Sequence, residues 1–198
     1  APNVGMISFW TSQSGAGQTT DSAVGDIATG NWYHVAVTRT GAVAKIYKNG
    51  ADVTVTSGTH INPTTNTRPI TIGVRSALNQ YWWNGLIDDV RVYNRALSTT
   101  EITALYESYN PGIVVSDLQK GLVGWWNFDG NAKDKTPYGN NGTITGAALT
   151  TDRKGQTNKA YYFDGVNDYV NAGQNNALWN NPKGTIAGWF KVSNGGWS

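Results

Sequence analysis

Cysteine is absent from this chain of 198 residues, which excludes disulfides, thiolate metal sites and cysteine nucleophiles. Charge is scarce as well. Only 14% of residues are charged and the formal net charge is +2, against about 25% charged residues in ordinary soluble domains. No cluster of Lys or Arg is longer than a pair, so a phosphate-tracking surface and a nucleic-acid partner are not expected. No run approaches the roughly 18 apolar residues of a membrane-spanning helix, and no charged-then-apolar signal segment opens the chain. Ala1 stands a few residues before the apolar run that ends at Trp10, as a processed or arbitrarily chosen end would. What is abundant is Gly (24), Asn (21), Thr (23), Trp (9) and Tyr (10). That mixture favours strands joined by tight turns, with aromatic surface to spare, and it fits a protein of the cell surface or the extracellular space.

Alternation with period two dominates. Over 31–40, Trp32, His34, Ala36 and Thr38 share one face and Tyr33, Val35, Val37 and Arg39 the other. A second strand covers 42–48, and Lys48-Asn49-Gly50-Ala51 predicts a type I′ hairpin turn, because both central residues tolerate φ > 0. Val53 and Val55 alternate on the return. Further strands are expected around Ile70, Ile72 and Val74, and over 86–93, 122–128, 160–163, 169–171 and 185–192. Short strands at this spacing predict an all-β fold, a two-sheet antiparallel sandwich. One helix interrupts them: Ser98-Thr99-Thr100-Glu101 is a capping box, Leu97 and Ile102 occupy the staple positions, and Ile102, Leu105, Tyr106 and Tyr109 form the apolar stripe. Pro111-Gly112 stops it.

Three segments of the second half, Gly121-Leu-Val-Gly-Trp-Trp-Asn-Phe-Asp-Gly130, Tyr138-Gly-Asn-Asn-Gly-Thr143 and Tyr162-Phe-Asp-Gly-Val-Asn-Asp-Tyr-Val170, resemble the opening half of bacterial LamG-like (concanavalin A-like lectin/glucanase) domains. In the first half, Asn31-Trp-Tyr-His-Val-Ala-Val37, Ile46-Tyr-Lys-Asn-Gly50 and Gly85-Leu-Ile-Asp-Asp-Val-Arg-Val-Tyr-Asn-Arg-Ala-Leu-Ser98 resemble the closing half of the same family. The resemblance implies a two-sheet jelly-roll sandwich that often binds glycans or mediates adhesion, frequently with structural calcium. The order is reversed: residues 1–110 correspond to the closing half, 111–120 to a linker and 121–198 to the opening half. Neither half has enough strands to bury its inner face, so each should need the other. A circular permutant closing on itself, one period of a tandem array, or exchange of halves between copies in a head-to-tail filament would each supply the partner. The leading functional expectation is a non-enzymatic structural or adhesive protein whose partners are copies of itself. The alternative is a glycan-binding, lectin-like module.

Catalysis has little to work with. Glycoside hydrolysis normally needs two carboxyl groups at fixed separation. The only glutamates, Glu101 and Glu107, sit in the capped helix, and the glucanase pattern Glu-x-Asp-x-x-Glu is absent. His34, in mid-strand, reads as a packed structural histidine, and His60, in a Thr/Pro/Asn-rich loop, as a solvent-facing one. Calcium is the better metal case. Asp88 shares parity with Leu86, Val90 and Val92, so a regular strand would put a carboxylate on an apolar face, at high cost unless it is paired or coordinating. Asp88-Asp89-Val90-Arg91-Val92-Tyr93 also resembles the strand of lichenase-like glucanases whose Asp binds structural Ca²⁺, which implicates Asp88, with Asp164 and Asp129 as companions at turns. The other possibility is that Asp88 pairs with Arg91 or Arg95, or that a bulge turns it outward. For glycans, Tyr81, Trp82, Trp83 and Asn84, with Asn79 and Gln80, form the most lectin-like cluster, since sugars stack their C–H faces on exposed rings; the same rings could instead pack under loops or against another subunit. Trp32, Trp125 and Trp189 are expected in the core.

Overall fold

A computed structural model of the chain describes residues 5–13, 16–62, 69–75, 81–107, 116–174 and 181–193. Its main sheet runs in the order β11 (Ala148–Thr150), β12 (Ala160–Asp164), β8 (Asn84–Tyr93), β14 (Lys183–Val192), β3 (Trp32–Thr40), β4 (Val43–Lys48) and β5 (Ala51–Asp52). An eighth strand, β9 (Leu122–Trp126), pairs with the C-terminal part of β8, while β12 pairs with its N-terminal part. Two smaller sheets accompany it. One comprises β1 (Ser8–Gln13), β2 (Ala16–Asp21) and β6 (Thr56–Ser57); the other comprises β10 (Thr143–Thr145), β13 (Tyr169–Asn171) and β7 (Thr71–Ile72). All strand pairs are antiparallel.

The fold is thus the all-β sandwich that the alternation predicts, and its local signals act as expected. At the β4–β5 turn Asn49 and Gly50 have φ of 51° and 83°, so both central positions are left-handed and Lys48 pairs with Ala51. In the helix α1 (Thr99–Glu107) the Ser98 amide donates to Glu101 Oε2 (2.8 Å) and the Glu101 amide to Ser98 Oγ (3.3 Å). Leu97 and Ile102 are both buried beside it. Tyr109, Asn79 and Gln80 lie outside the described residues. The strand expected around Val53 and Val55 stops after Asp52: the Thr54 hydroxyl takes the Ile46 amide (2.9 Å) in place of a ladder carbonyl, and Val55 is exposed.

The trailing segment supplies β14, which lies between β8 and β3 of the leading segment and pairs with both along most of its length. Residues from both halves therefore share one sheet in a single chain. They also share both cores. On one face Ile87 and Val90 of β8 pack with Trp126, Phe128, Phe163 and Val170 of the trailing segment and Ile72 of β7. On the other, Ala36, Tyr47, Tyr93 and Ala187 are covered by Leu97, Ile102 and Leu105 around α1, and by Leu118. Trp189 is buried as expected, but the fully buried indole of β9 is Trp126, with Trp125 only half-buried and Trp32 likewise.

Candidate functional site

The two smaller sheets leave an open cleft of about 510 Å³ over the main sheet, within the size range of small-ligand sites. Its floor is Ile87 and Val90 of β8 with Ile186 and Phe190 of β14; Ser8 of β1 lies on one side, and Ile72, Arg75, Tyr81 and Trp83 on the other. Backbone geometry builds the second wall. Gly73, at φ 90°, turns the chain after β7, and the Trp83 amide donates to its carbonyl (2.8 Å). A side chain at Gly73 would collide with the Phe163 ring (2.5 Å), so the turn can sit this close to the core only as glycine. Trp83 then meets Phe190 edge-on at 5.6 Å, and Tyr81 stands 48% exposed at the mouth.

Of the four residues expected to bind sugar, Tyr81 and Trp83 line the cleft. Trp82 turns the other way, to Tyr169 (6.1 Å), as consecutive residues of an extended chain must. Asn84 pairs with Asp164 in the β8–β12 ladder and lies over Gly165. Arg75 lines the cleft and Trp10, against which it stacks, lies outside the lining; neither is singled out by the sequence. Trp10, on the outward face of β1 and 44% exposed, lays its ring over Gly17 of β2. Arg75 stacks its guanidinium on that ring, 3.9 Å from the centroid, and stands 5.5 Å from the centroid of Tyr81. Among the described residues no carboxylate lines the cleft.

A second cluster of guanidinium groups and indoles is made on β8 and its neighbours. The register of β8 against β14 slips between Ala187 and Trp189, and Asp89 takes φ 52°. This bulge keeps Ile87 and Val90 in the same core cluster and sends both aspartates elsewhere. Asp88 forms an ion pair with Arg153, whose guanidinium lies over Trp189 at 4.6 Å. Asp89 pairs with Arg91 (3.3 Å), which lies over Trp125 at 4.6 Å, and accepts a hydrogen bond from the Trp125 indole. Asp88 and Asp89 are 3% and 6% exposed. Burial drives the Asp88 carboxyl up to about 7 against the pull of Arg153, with Asp89 and Asp152 adding to the rise.

Residues 2–103, just over half of the chain, match the family model Laminin_G_3, described as concanavalin A-like lectin/glucanases superfamily. The chain belongs to this superfamily. No curated protein and no solved structure matches it.

In this concanavalin A-like domain the residues implicated in calcium binding are each engaged by protein groups. The Asp88 charge is met by a guanidinium, Arg153, rather than by the Arg91 or Arg95 weighed from the sequence. Asp164 is exposed and spends Oδ1 on the amides of Val166 (2.8 Å) and Asn167 (3.4 Å). Asp129 is exposed, accepts from Asn127 (2.7 Å) and pairs with Lys159 (3.3 Å). No group of three His, Asp or Glu among the described residues is arranged to hold a metal. The regular-strand parity that placed Asp88 with Val90 and Val92 fails because the bulge adds one residue between them.

Both histidines of the domain are structural in their surroundings. His34 is 1% exposed, packs against Trp189 (5.4 Å) and Tyr106 (6.0 Å), and is pushed down to about 3 by burial and by Arg91 and Arg153. His60 is not solvent-facing: it is 2% exposed, with Thr11 Oγ1 at 2.7 Å from Nδ1 and Thr20 Oγ1 at 2.8 Å from Nε2. Threonine hydroxyls that can either donate or accept satisfy both ring nitrogens, which makes burial in that loop affordable. Glu101 is bound by its cap and by Arg95 (2.7 Å).

Proposed function

We propose that this chain is a non-catalytic carbohydrate-binding module, serving adhesion at a cell surface or in the extracellular space, with the cleft as its sugar site. The observation that carries the reading is a cleft whose mouth presents the exposed Tyr81 ring and whose inner wall is Trp83, above an apolar floor and with no carboxylate in its described lining. Rings of this kind stack on the C–H faces of pyranoses, whereas hydrolysis would ask for two carboxyl groups across the bond. The reading does not call on arrays or filaments of the chain, since β14 pairs with β8 and β3 of its own chain. No resident calcium is invoked, because Arg153 already neutralises the carboxylate that would anchor it. Affinity electrophoresis in gels cast with polysaccharides tests the proposal. Retardation by at least one polymer is expected, and Tyr81→Ala should weaken it about tenfold, as removal of an aromatic anchor does. Migration unchanged by every neutral and acidic polymer tried would overturn it.

A further inference from the structure

Every described arginine except Arg75 has its guanidinium engaged by a carboxylate or a backbone carbonyl. Arg91 pairs with Asp89, Arg95 with Glu101 and Arg153 with Asp88. Arg39 donates to the carbonyls of Gly41 (2.8 Å) and Ile61 (2.6 Å). Arg75 has no such partner among the described residues, and residues 76–80, which follow it, contain no acid. It is not loose, however. Trp10 lies against one face of the group and Tyr81 is close by. Aromatic rings engage a guanidinium through its flat face and leave the in-plane N–H fork free, and that fork matches a planar or tetrahedral oxyanion with two parallel hydrogen bonds. A cation held by rings at a cleft wall, and given no anion by the described residues, is a group open to one from the ligand.

We infer that the cleft selects anionic glycans, with Arg75 reading a carboxylate or sulfate on the sugar while Tyr81 and Trp83 take its apolar face. The inference rests on the glycan-binding reading above and adds the ligand's charge to it. Trp10, which touches the ligand in neither role, is a positioning residue that holds the guanidinium flat.

The test uses matched polymer pairs that differ only in charge: polygalacturonate against its methyl ester for the carboxylate, and dextran sulfate against dextran for the sulfate. Binding to the whole chain is measured by calorimetry at physiological salt. The wild type should bind one acidic member at least tenfold more tightly than its neutral partner, and the pair that responds identifies the acid. Arg75→Gln should reduce the acidic affinity to the neutral level, and Arg75→Lys should restore only part of it, because an ammonium keeps the charge but not the fork. Lys133→Gln removes one exposed charge elsewhere and should leave both affinities unchanged. Melting curves of all variants should match the wild type. Equal affinity for acidic and neutral members would overturn the inference and leave the glycan reading standing. So would an acidic preference that Arg75→Gln preserves, or that Lys133→Gln lowers as much. Absence of binding to all four polymers would overturn both.

Discussion

Among the described residues an arginine lies over a tryptophan three times, and the three pairs have different consequences. Arg153 on Trp189 and Arg91 on Trp125 are inside the protein, each completed by an aspartate from the β8 bulge. Arg75 on Trp10 is at an open cleft and is completed by nothing the described protein supplies. The stacking geometry is similar at 3.9 to 4.6 Å, so it does not separate a structural site from a binding site. The counter-ion does. Where the chain provides the carboxylate, the site is closed by the protein itself, and one of the two pairs crosslinks: Asp88 lies in the leading segment and Arg153 in the trailing one. Where the described residues supply no carboxylate, the cation is left for something else.

The largest effect should come from breaking the internal pair. At pH 8, where Asp88 is ionised, Arg153→Met leaves a carboxylate buried without its partner and should cost about 3–5 kcal/mol in urea unfolding. Adding Asp88→Asn should recover most of that loss. A cost below about 1 kcal/mol would mean that the inner and outer arginines are not different in kind. Next comes pH. The folded carboxyl of Asp88 is raised to about 7 from an ordinary value of 3.8, so between those values the folded state holds a proton that the unfolded state has lost. Stability from this group therefore falls as pH rises from about 4 to about 7, by on the order of 2 kcal/mol, and Asp88→Asn should flatten that slope. Asp134 acts with the opposite sign. Burial pushes its carboxyl up, but donation from the amides of Thr136, Trp125 and Asn140 outweighs this and holds it below the usual range, so its contribution is lost as pH falls below about 4. Arg75→Met should change stability by less than about 1 kcal/mol, because the half-buried side chain has no ion pair to lose and a methionine keeps its apolar contact with Trp10. The smallest expected effect is none: chelator should leave the melting temperature where it was, and a drop of several degrees would reinstate calcium.

Much of the architecture is legible in the residues because the alternating strands are long and one-faced. The I′ turn at Asn49-Gly50 and the Ser98–Glu101 box are local chemistry and need no tertiary information. The β1–β2 sheet was harder to see: Ser, Thr, Gln and Gly dominate both strands, and the hydrophobic period that marks a strand is faint there. The three-residue strands β10 and β11 are mostly exposed and leave the same weak trace. The candidate cluster at 81–84 was half legible. Parity along 81–84 separates Trp82 from Trp83, but it does not say which faces a cleft. Arg75 and Trp10 are 65 positions apart and meet only because β1 and the turn after β7 flank the same floor. The bulge, one of the alternatives open at Asp88, left the least trace in the residues. Nothing in Asp88-Asp89-Val90 announces an extra residue, since aspartate only tolerates the left-handed conformation that Asp89 adopts. That single residue decides whether Asp88 reads as a metal ligand or as the partner of Arg153.

The indole N–H region of a ¹H–¹⁵N spectrum reports on each tryptophan separately and tests the central claim most directly. During titration with the acidic polymer that binds, the Trp83 and Trp10 resonances, assigned by Trp→Phe substitution, should move and saturate together. Those of Trp125 and Trp189, whose arginines are paired with aspartates, should stay still. Shifts confined to Trp125 and Trp189, with Trp83 and Trp10 unmoved, would contradict binding in the cleft and place the ligand at the arginines that pair with the protein's own carboxylates.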